Sequence, residues 1–331
     1  MNFKLGLAFM ITFSADWLIG GESGLTCVEP QLATGASAAD IHHAMQAEFP
    51  GSRKPAVSLV QGRVSQPGAA FALNGIYALS AARRPTKTDV KRVAEACVAT
   101  LPVDGSTYVS GQAQQGTNTL ESARLTLASL RRTLDFLKLS WPDVVQFKVF
   151  LQPITDTGAV MAALEELYGR QQALPPVVFV EWLGKPSLEI EMVVASPVTA
   201  GAASIEFLTP PGLTTPTVYC RVARVNSLAR VFFSTLTAAA DGTGDAQAKD
   251  IFAQLGRLLT ATGSCFQQLV KATYYVTDDD ASKALNELRP RYCDPQRPPA
   301  ALFNRRLHPV TALKTRAALP ASALTTAPLE E

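Results

Sequence analysis

Tyr108-Val-Ser-Gly-Gln112 opens, and Leu188-Glu-Ile-Glu-Met-Val-Val194 closes, the stretch on which the reading of this chain turns. Between them Ala123, Leu127, Leu130, Leu134 and Leu137 recur at spacings of four, three, four and three. Arg124, Arg131, Arg132 and Asp135 fill the other side, so the apolar residues form one face of a helix lying on a sheet. Val145, Phe147, Val149 and Leu151 alternate with Gln146 and Lys148, which is the two-residue period of a strand. Val160, Leu164 and Leu167 predict a shorter helix; Val177–Trp182 and Leu188–Val194 predict two more strands. Upstream, Ala94–Thr100 and Ser106–Gln112 read as a hairpin joined by the turn Pro102-Val-Asp-Gly105. The resulting order over residues 91–196, β-β-α-β-α-β-β with two helices on one face of a sheet, is an α+β layer.

The same order returns downstream. Tyr219–Val225 and Arg230–Thr235 suit a hairpin, and Ala248, Ile251, Phe252, Leu255, Leu258 and Leu259 line one face of a helix. Leu269-Val-Lys-Ala-Thr-Tyr-Tyr-Val276 matches Val144-Val-Gln-Phe-Lys-Val-Phe-Leu151 at an offset of 125. Arg297-Pro-Pro-Ala-Ala-Leu302 then stands where Leu174-Pro-Pro-Val-Val-Phe179 stood. The stretch 196–217, rich in Pro, Gly, Thr and Ala, reads as the linker between the two units.

At 331 residues, with 47% hydrophobic and 18% charged residues, the chain has the composition of a well-cored globular protein of two or three domains. A net charge of +2 gives no electrostatic case for nucleic acid, and Lys87, Lys91 and Arg92 form a short run suited to a solvated linker. Cys27, Cys97, Cys220, Cys265 and Cys293 are scattered without a Cys-x-x-Cys pair, so buried free thiols are expected in place of a disulfide frame or zinc site. His42, His43 and His308 are the only histidines; the adjacent pair would point about 100° apart on a helix, so neither a metal nor a triad is expected. The run Leu5–Phe13 behind Lys4 reads two ways, as a signal peptide or as a buried helix, and is too short to span a bilayer comfortably.

The motifs at residues 92–196 resemble one subunit of the RidA/YjgF family of reactive-intermediate deaminases. The resemblance implies further copies in the same chain. Phe49-Pro-Gly-Ser-Arg-Lys-Pro-Ala-Val-Ser-Leu-Val60 is similar to the family's stretch between second helix and fourth core strand, and Pro67–Tyr77 to its final strand. Ser37 as N-cap with Asp40, Ile41, Ala44, Met45 and Phe49 suits the second helix, and Gly24–Thr26 the turn after a long first helix over residues 3–19. The expected organisation is a partial unit at 1–82 lacking its first hairpin, a complete unit at 91–196, a diverged unit at 217–318 and a disordered tail at 319–331. Members of the family form trimers with ligand clefts between subunits, so an intrachain pseudo-trimer is implied, able to self-associate through its incomplete first unit. Cytoplasmic placement goes with the helix reading of the first twenty residues, export with the signal reading.

The resemblance also implies a chemistry: hydrolysis of a small imine or enamine metabolite to a carbonyl compound and ammonia, with no cofactor. The family holds its substrate carboxylate with an Arg at the start of the fourth core strand. Here that position is Val177 in the central unit, Val57 in the first and Ala301 in the third. An aliphatic side chain does not replace a bidentate guanidinium, which argues against the standard activity. Glu189 matches the acid that positions water and is the candidate catalytic residue; Glu191 shares its side of the strand, a pattern that a solvent-facing strand would also show. Ser110, Gly111 and Gln112 match the family's ligand-contacting strand end, though a turn alone would also call for Gly111. Tyr168 keeps the aromatic at the end of the second helix, while Met161 replaces an Asn. In the third unit Ser234 stands for Ser110 and Lys314 for Glu189; in the first, the acid position falls near Ala72. A non-catalytic scaffold or ligand-binding module is the alternative.

Overall fold

The computed structural model describes residues 25–33, 37, 39–40, 43, 47, 56–66, 68–69, 71–77, 85–93, 96–102, 104–227, 230–239 and 241–305. The expectations for the amino-terminal apolar run, for Lys314 and for the tail lie outside these residues. A first small sheet joins β1 (Leu25–Leu32) in parallel to β2 (Ala56–Val57) and β3 (Val60–Gln61), and antiparallel to β4 (Phe71–Tyr77). Next, β5 (Asp89–Val93) and β6 (Ala96–Thr100) form a separate two-stranded ribbon.

The principal layer follows. It contains β7 (Gly105–Gln112), α1 (Thr119–Leu137), β8 (Val144–Leu151), α2 (Thr157–Tyr168), β9 (Val177–Glu181) and β10 (Leu188–Ser196). To these the chain adds β11 (Ile205–Leu208) and β12 (Val222–Val225), giving a six-stranded sheet in the order β11-β12-β7-β10-β8-β9. The helical spacing read from the sequence is realised: Ala123, Leu127, Leu130, Leu134 and Leu137 pack with Phe147, Val149, Ile190 and Met192 in one core. Each such fully buried aliphatic or aromatic side chain contributes about 1.5–3 kcal/mol relative to exposure. The Asn118 side chain caps α1 by accepting from the Glu121 N–H, and Lys138 ends it in the left-handed conformation.

Two pairings differ from expectation. β6 pairs with β5, not with β7, and the place beside β7 is taken by β12. Seven of the eight residues of β7 are buried, so both of its edges need partners inside the protein. Val222, Ala223 and Val225 are buried and meet that need, whereas β6 has no fully buried residue. The second difference lies in the presumed linker, which contains β11; β12 forms its hairpin with that strand, and residues 230–235 join no strand.

The remaining elements are α3 (Gly244–Ala261), β13 (Lys271–Val276), α4 (Asp279–Tyr292) and β14 (Ala300–Arg305), with β14 parallel to β13. Thr243 and Asp278 cap the two helices by accepting from Ala246 N and Ala281 N. Phe252, Leu255, Leu259, Leu285 and Leu288 form the core of this part. The three parts meet over a polar cluster. Lys148 Nζ donates to both Glu29 oxygens at 2.8 and 2.7 Å, and the Tyr275 hydroxyl donates to Glu29 Oε1 at 2.6 Å. Burial opposes the charge on Glu29, but Lys148, Tyr275 and Asn74 outweigh it and hold the carboxyl below its ordinary range. Among the described residues no helix is long and apolar enough to cross a membrane.

Candidate functional site

A β-bulge builds the site. On β10, Ile190 pairs with Gln112 and Met192 with Val109, so Glu191 alone opposes both Ser110 and Gly111. The extra residue breaks the two-residue alternation and turns Ser110 and Gly111 toward the side of the sheet away from the helices. Gln112 is thereby turned the other way, where its Nε2 donates to Thr133 Oγ1 on α1 at 2.7 Å. Of the three consecutive residues expected at a ligand, two face the site and Gln112 faces the helical core.

Leu188, Ile190 and Met192 point into that core, which leaves Glu189 and Glu191 together on the opposite side, as their spacing requires. The Glu189 carboxyl lies directly against Gly111: a Cβ on that glycine would stand 1.8 Å from Oε1 and 2.5 Å from Cδ. Only a residue without a side chain permits this approach. Glu189 is half-buried, and among the described residues none hydrogen-bonds its carboxyl. Burial first, and then the charge of Glu191, push its pKa up to about 7, against the opposing pull of Lys271 and Arg221. Glu191 is 5% exposed and its charge is met by the Lys271 ammonium from β13.

The segment 219–221 forms the facing wall. Cys220 N donates to Pro299 O at 3.1 Å, and Ser110 N donates to Arg221 O at 2.9 Å, so this segment lies between β7 and β14. The Arg221 guanidinium rests on the Tyr219 ring, 5.2 Å from its centroid, with Nε and Nη2 donating to Thr214 at 3.0 and 2.6 Å. Tyr219 is flanked electrostatically by Arg221, Glu189 and Arg289. Burial pushes the Cys220 thiol up to about 12, so it stays protonated and is no nucleophile at neutral pH. Arg221, Tyr219 and Lys271 were not among the residues singled out from the sequence. They reach the site from distant elements, and no local pattern marks them.

The Ser110 hydroxyl is 1% exposed and doubly engaged: it donates to Cys220 O at 2.6 Å and accepts from Ala301 N at 3.1 Å. A matching contact occurs elsewhere, where Ser234 Oγ accepts from Val57 N, also at 3.1 Å. In each case one of the serines aligned in sequence meets one of the positions aligned with the family's arginine. Val177 is not brought to Glu189. It lies on edge strand β9, opposite Phe147, and packs on the helical side. Tyr168 is likewise in the core, its ring 6.3 Å from that of Trp141, with its hydroxyl donating to Trp141 O at 2.9 Å. Met161 packs against the same core. Among the described residues no group of His, Cys, Asp and Glu could hold a metal ion.

No family model and no curated protein matches the chain. Solved structures of the YjgF/RidA family are similar to part of it. One, a member of the YjgF/YER057c/UK114 family from Mycobacterium tuberculosis, is 19% identical, covers 30% of this chain and 84% of its own, and has a TM-score of 0.25. RidA from the Antarctic bacterium Psychrobacter sp. PAMC 21119 is 17% identical over 34% of this chain and 89% of its own, TM-score 0.25. E. coli TdcF, solved with bound serine, is 22% identical over 28% of this chain and 81% of its own, TM-score 0.26.

Proposed function

We infer that the boundary holding Glu189, Gly111 and the 219–221 segment is the small-molecule site of a diverged RidA-like protein, and that it hydrolyses a small imine or enamine. The observation that carries this reading is the Glu189 carboxyl itself. It is half-buried, laid against Gly111, free of hydrogen bonds to the described residues, and set between one anion and two cations. A carboxyl poised near neutrality serves as base and acid in one cycle. As carboxylate, Glu189 takes a proton from water while the water oxygen bonds to the imine carbon. The imine enters protonated on nitrogen, so its C=N π electrons move to nitrogen and give a neutral carbinolamine with no further proton required. Glu189 then gives its proton to that nitrogen, the C–N bond breaks and ammonia leaves as C=O forms, and the hydroxyl proton passes to the Glu189 carboxylate, which releases it to water. An enamine enters the same route after protonation at carbon. Among the described residues Arg221 supplies the guanidinium acting electrostatically on Glu189, in place of the arginine that Val177 and Ala301 do not provide.

The same reading takes the chain as copies of one unit around a pseudo-threefold axis, with the boundaries of those copies forming the clefts. What supports it is repetition of geometry. Phe147 pairs in parallel with Val177, and Ala272, which the offset of 125 aligns with Phe147, pairs in parallel with Ala301. Val28 pairs in parallel with Val57, the residue aligned with Val177. The contacts Ser110–Ala301 and Ser234–Val57 then join the second unit to the third and the third to the first. On this reading self-association runs through the first unit, beside β9, the last strand in the order of the six-stranded sheet.

A binding module without turnover is the second reading, favoured by Ser110, whose hydroxyl is buried and fully engaged within the protein. A coupled assay for ammonia released from 2-iminobutanoate, and from a neutral imine made in the same way, separates the two. Turnover abolished by Glu189→Ala is expected. No turnover, or turnover indifferent to Glu189→Ala, excludes the enzymatic reading.

A further inference from the structure

We propose that Arg289, near the carboxy-terminal end of α4, anchors a site for a small oxyanion, the carboxylate or phosphate of a ligand from outside the chain. Arg289 is 4% exposed, and its Nε is buried without a hydrogen-bond partner. Other cations drawn inward are met by carboxylates: Lys148 by Glu29, Lys271 by Glu191 and Arg224 by Glu206. Among the described residues no carboxylate meets Arg289. Its Nη2 donates to the side-chain oxygen of Asn286, and its Nη1 reaches Val218 O only at 3.4 Å. The guanidinium lies over the Tyr274 ring, 4.9 Å from the centroid. All three partners are neutral.

The ionisable groups that act on Arg289 are Tyr274, Cys293 and Tyr219. Burial raises both hydroxyls and the thiol above their ordinary ranges, so all three are protonated and uncharged at neutral pH. Burial also lowers the proton affinity of Arg289, yet a guanidinium keeps its charge at any physiological pH. The result is a buried positive charge with an idle donor, which is costly unless an anion offsets it. The planar fork of guanidinium donors matches two oxygens of a carboxylate or phosphate, and that match sets the class of ligand. Val218, the long contact, follows residues 211–217, most of which are exposed, so the anion enters from that side. The charges acting on Glu189 are Glu191, Lys271 and Arg221, and Arg289 is not one of them. The inference therefore concerns a second place and does not rest on the imine chemistry.

Hydrogen exchange of the full chain tests it, at constant ionic strength, with sodium chloride replaced stepwise by sodium acetate or sodium phosphate. Exchange over α4 and β13 is expected to slow about tenfold for each tenfold rise in anion above its dissociation constant. Slowing by acetate alone assigns the site to a carboxylate, and by phosphate alone to a phosphate. In Arg289→Met the effect is lost, and without either anion this variant exchanges no faster than wild type, because an apolar side chain removes an unoffset charge. Arg289→Lys keeps the charge and retains part of the effect. Should Arg289→Met fail to fold, the NMR signal of the Arg289 Nε–H in the wild-type chain gives the second readout, shifting with added anion until the site is full. Equal slowing in wild type and Arg289→Met overturns the proposal. So does exchange in Arg289→Met that is faster by the same factor at every anion concentration, or an Arg289 signal indifferent to both anions.

Discussion

Glu189→Gln reports on the site through stability as well as activity. The folded protein holds the Glu189 proton until about pH 7, whereas in the unfolded chain the group has its ordinary value of 4.5. Below pH 4.5 both states are protonated and the group contributes no pH dependence. Between 4.5 and 7 the folded state binds more protons than the unfolded one, so stability falls as pH rises. Above pH 7 the loss is complete and constant. The full interval from 4.5 to about 7 corresponds to about 3 kcal/mol, at about 1.36 kcal/mol for each pH unit. Solvent reaches part of this half-buried group, so a loss of roughly 1–2 kcal/mol is the working figure. Gln cannot ionise, and its variant lacks this fall. Glu29 and the other carboxyls titrate in both proteins and cancel in the difference. Urea unfolding at pH 4.5, 5.5, 6.5 and 8, followed by the fluorescence of buried Trp141 and Trp182, should show the variant gaining on wild type with rising pH. A wild-type-minus-variant difference constant to within about 0.5 kcal/mol across that range would refute the account of Glu189, because that is less than even the screened loss requires.

Three further outcomes follow from the same geometry. Gly111→Ala places a Cβ within 1.8 Å of Glu189 Oε1, and the flexible carboxyl must move away, so turnover should fall as in Glu189→Ala while stability changes by no more than about 1 kcal/mol in a urea titration. Lys148→Met leaves Glu29 buried without its cation and should cost about 3–5 kcal/mol, much of it recovered in the double variant with Glu29→Leu, as unfolding midpoints would record. Tyr168→Phe loses the bond to Trp141 O and should cost about 1 kcal/mol of stability with kcat and KM unchanged, since Tyr168 lies in the helical core.

What the sequence disclosed was set by range. The apolar rows of α1, β8 and β10 are local periodicities, and each formed where its spacing placed it, with Glu189 and Glu191 on the side opposite Leu188 and Ile190. Strand pairing is a long-range choice. Pro102-Val-Asp-Gly105 resembles a hairpin turn, yet β7 took β12 because the buried Val222, Ala223 and Val225 satisfy an interior edge that β6 does not. The bulge at Ser110–Gly111 is a register event between two strands, unmarked by composition, and it alone decides that Gln112 turns to Thr133. Glycine at position 111 was legible, but its reason, the Glu189 carboxyl against it, arises only once β10 lies beside β7. Arg221 and Lys271 were invisible for the same cause: they meet Glu189 across 32 and 82 positions of sequence (221 − 189 and 271 − 189).

Crystals soaked with a panel of small carboxylic acids, amines and imine analogues test the central claim most directly. The expected result is density for one of them within hydrogen-bonding distance of the Glu189 carboxyl, between Gly111 and Arg221, lost in Glu189→Ala crystals. Density confined to other parts of the molecule, with the Glu189 carboxyl left untouched by every member of the panel, would contradict it.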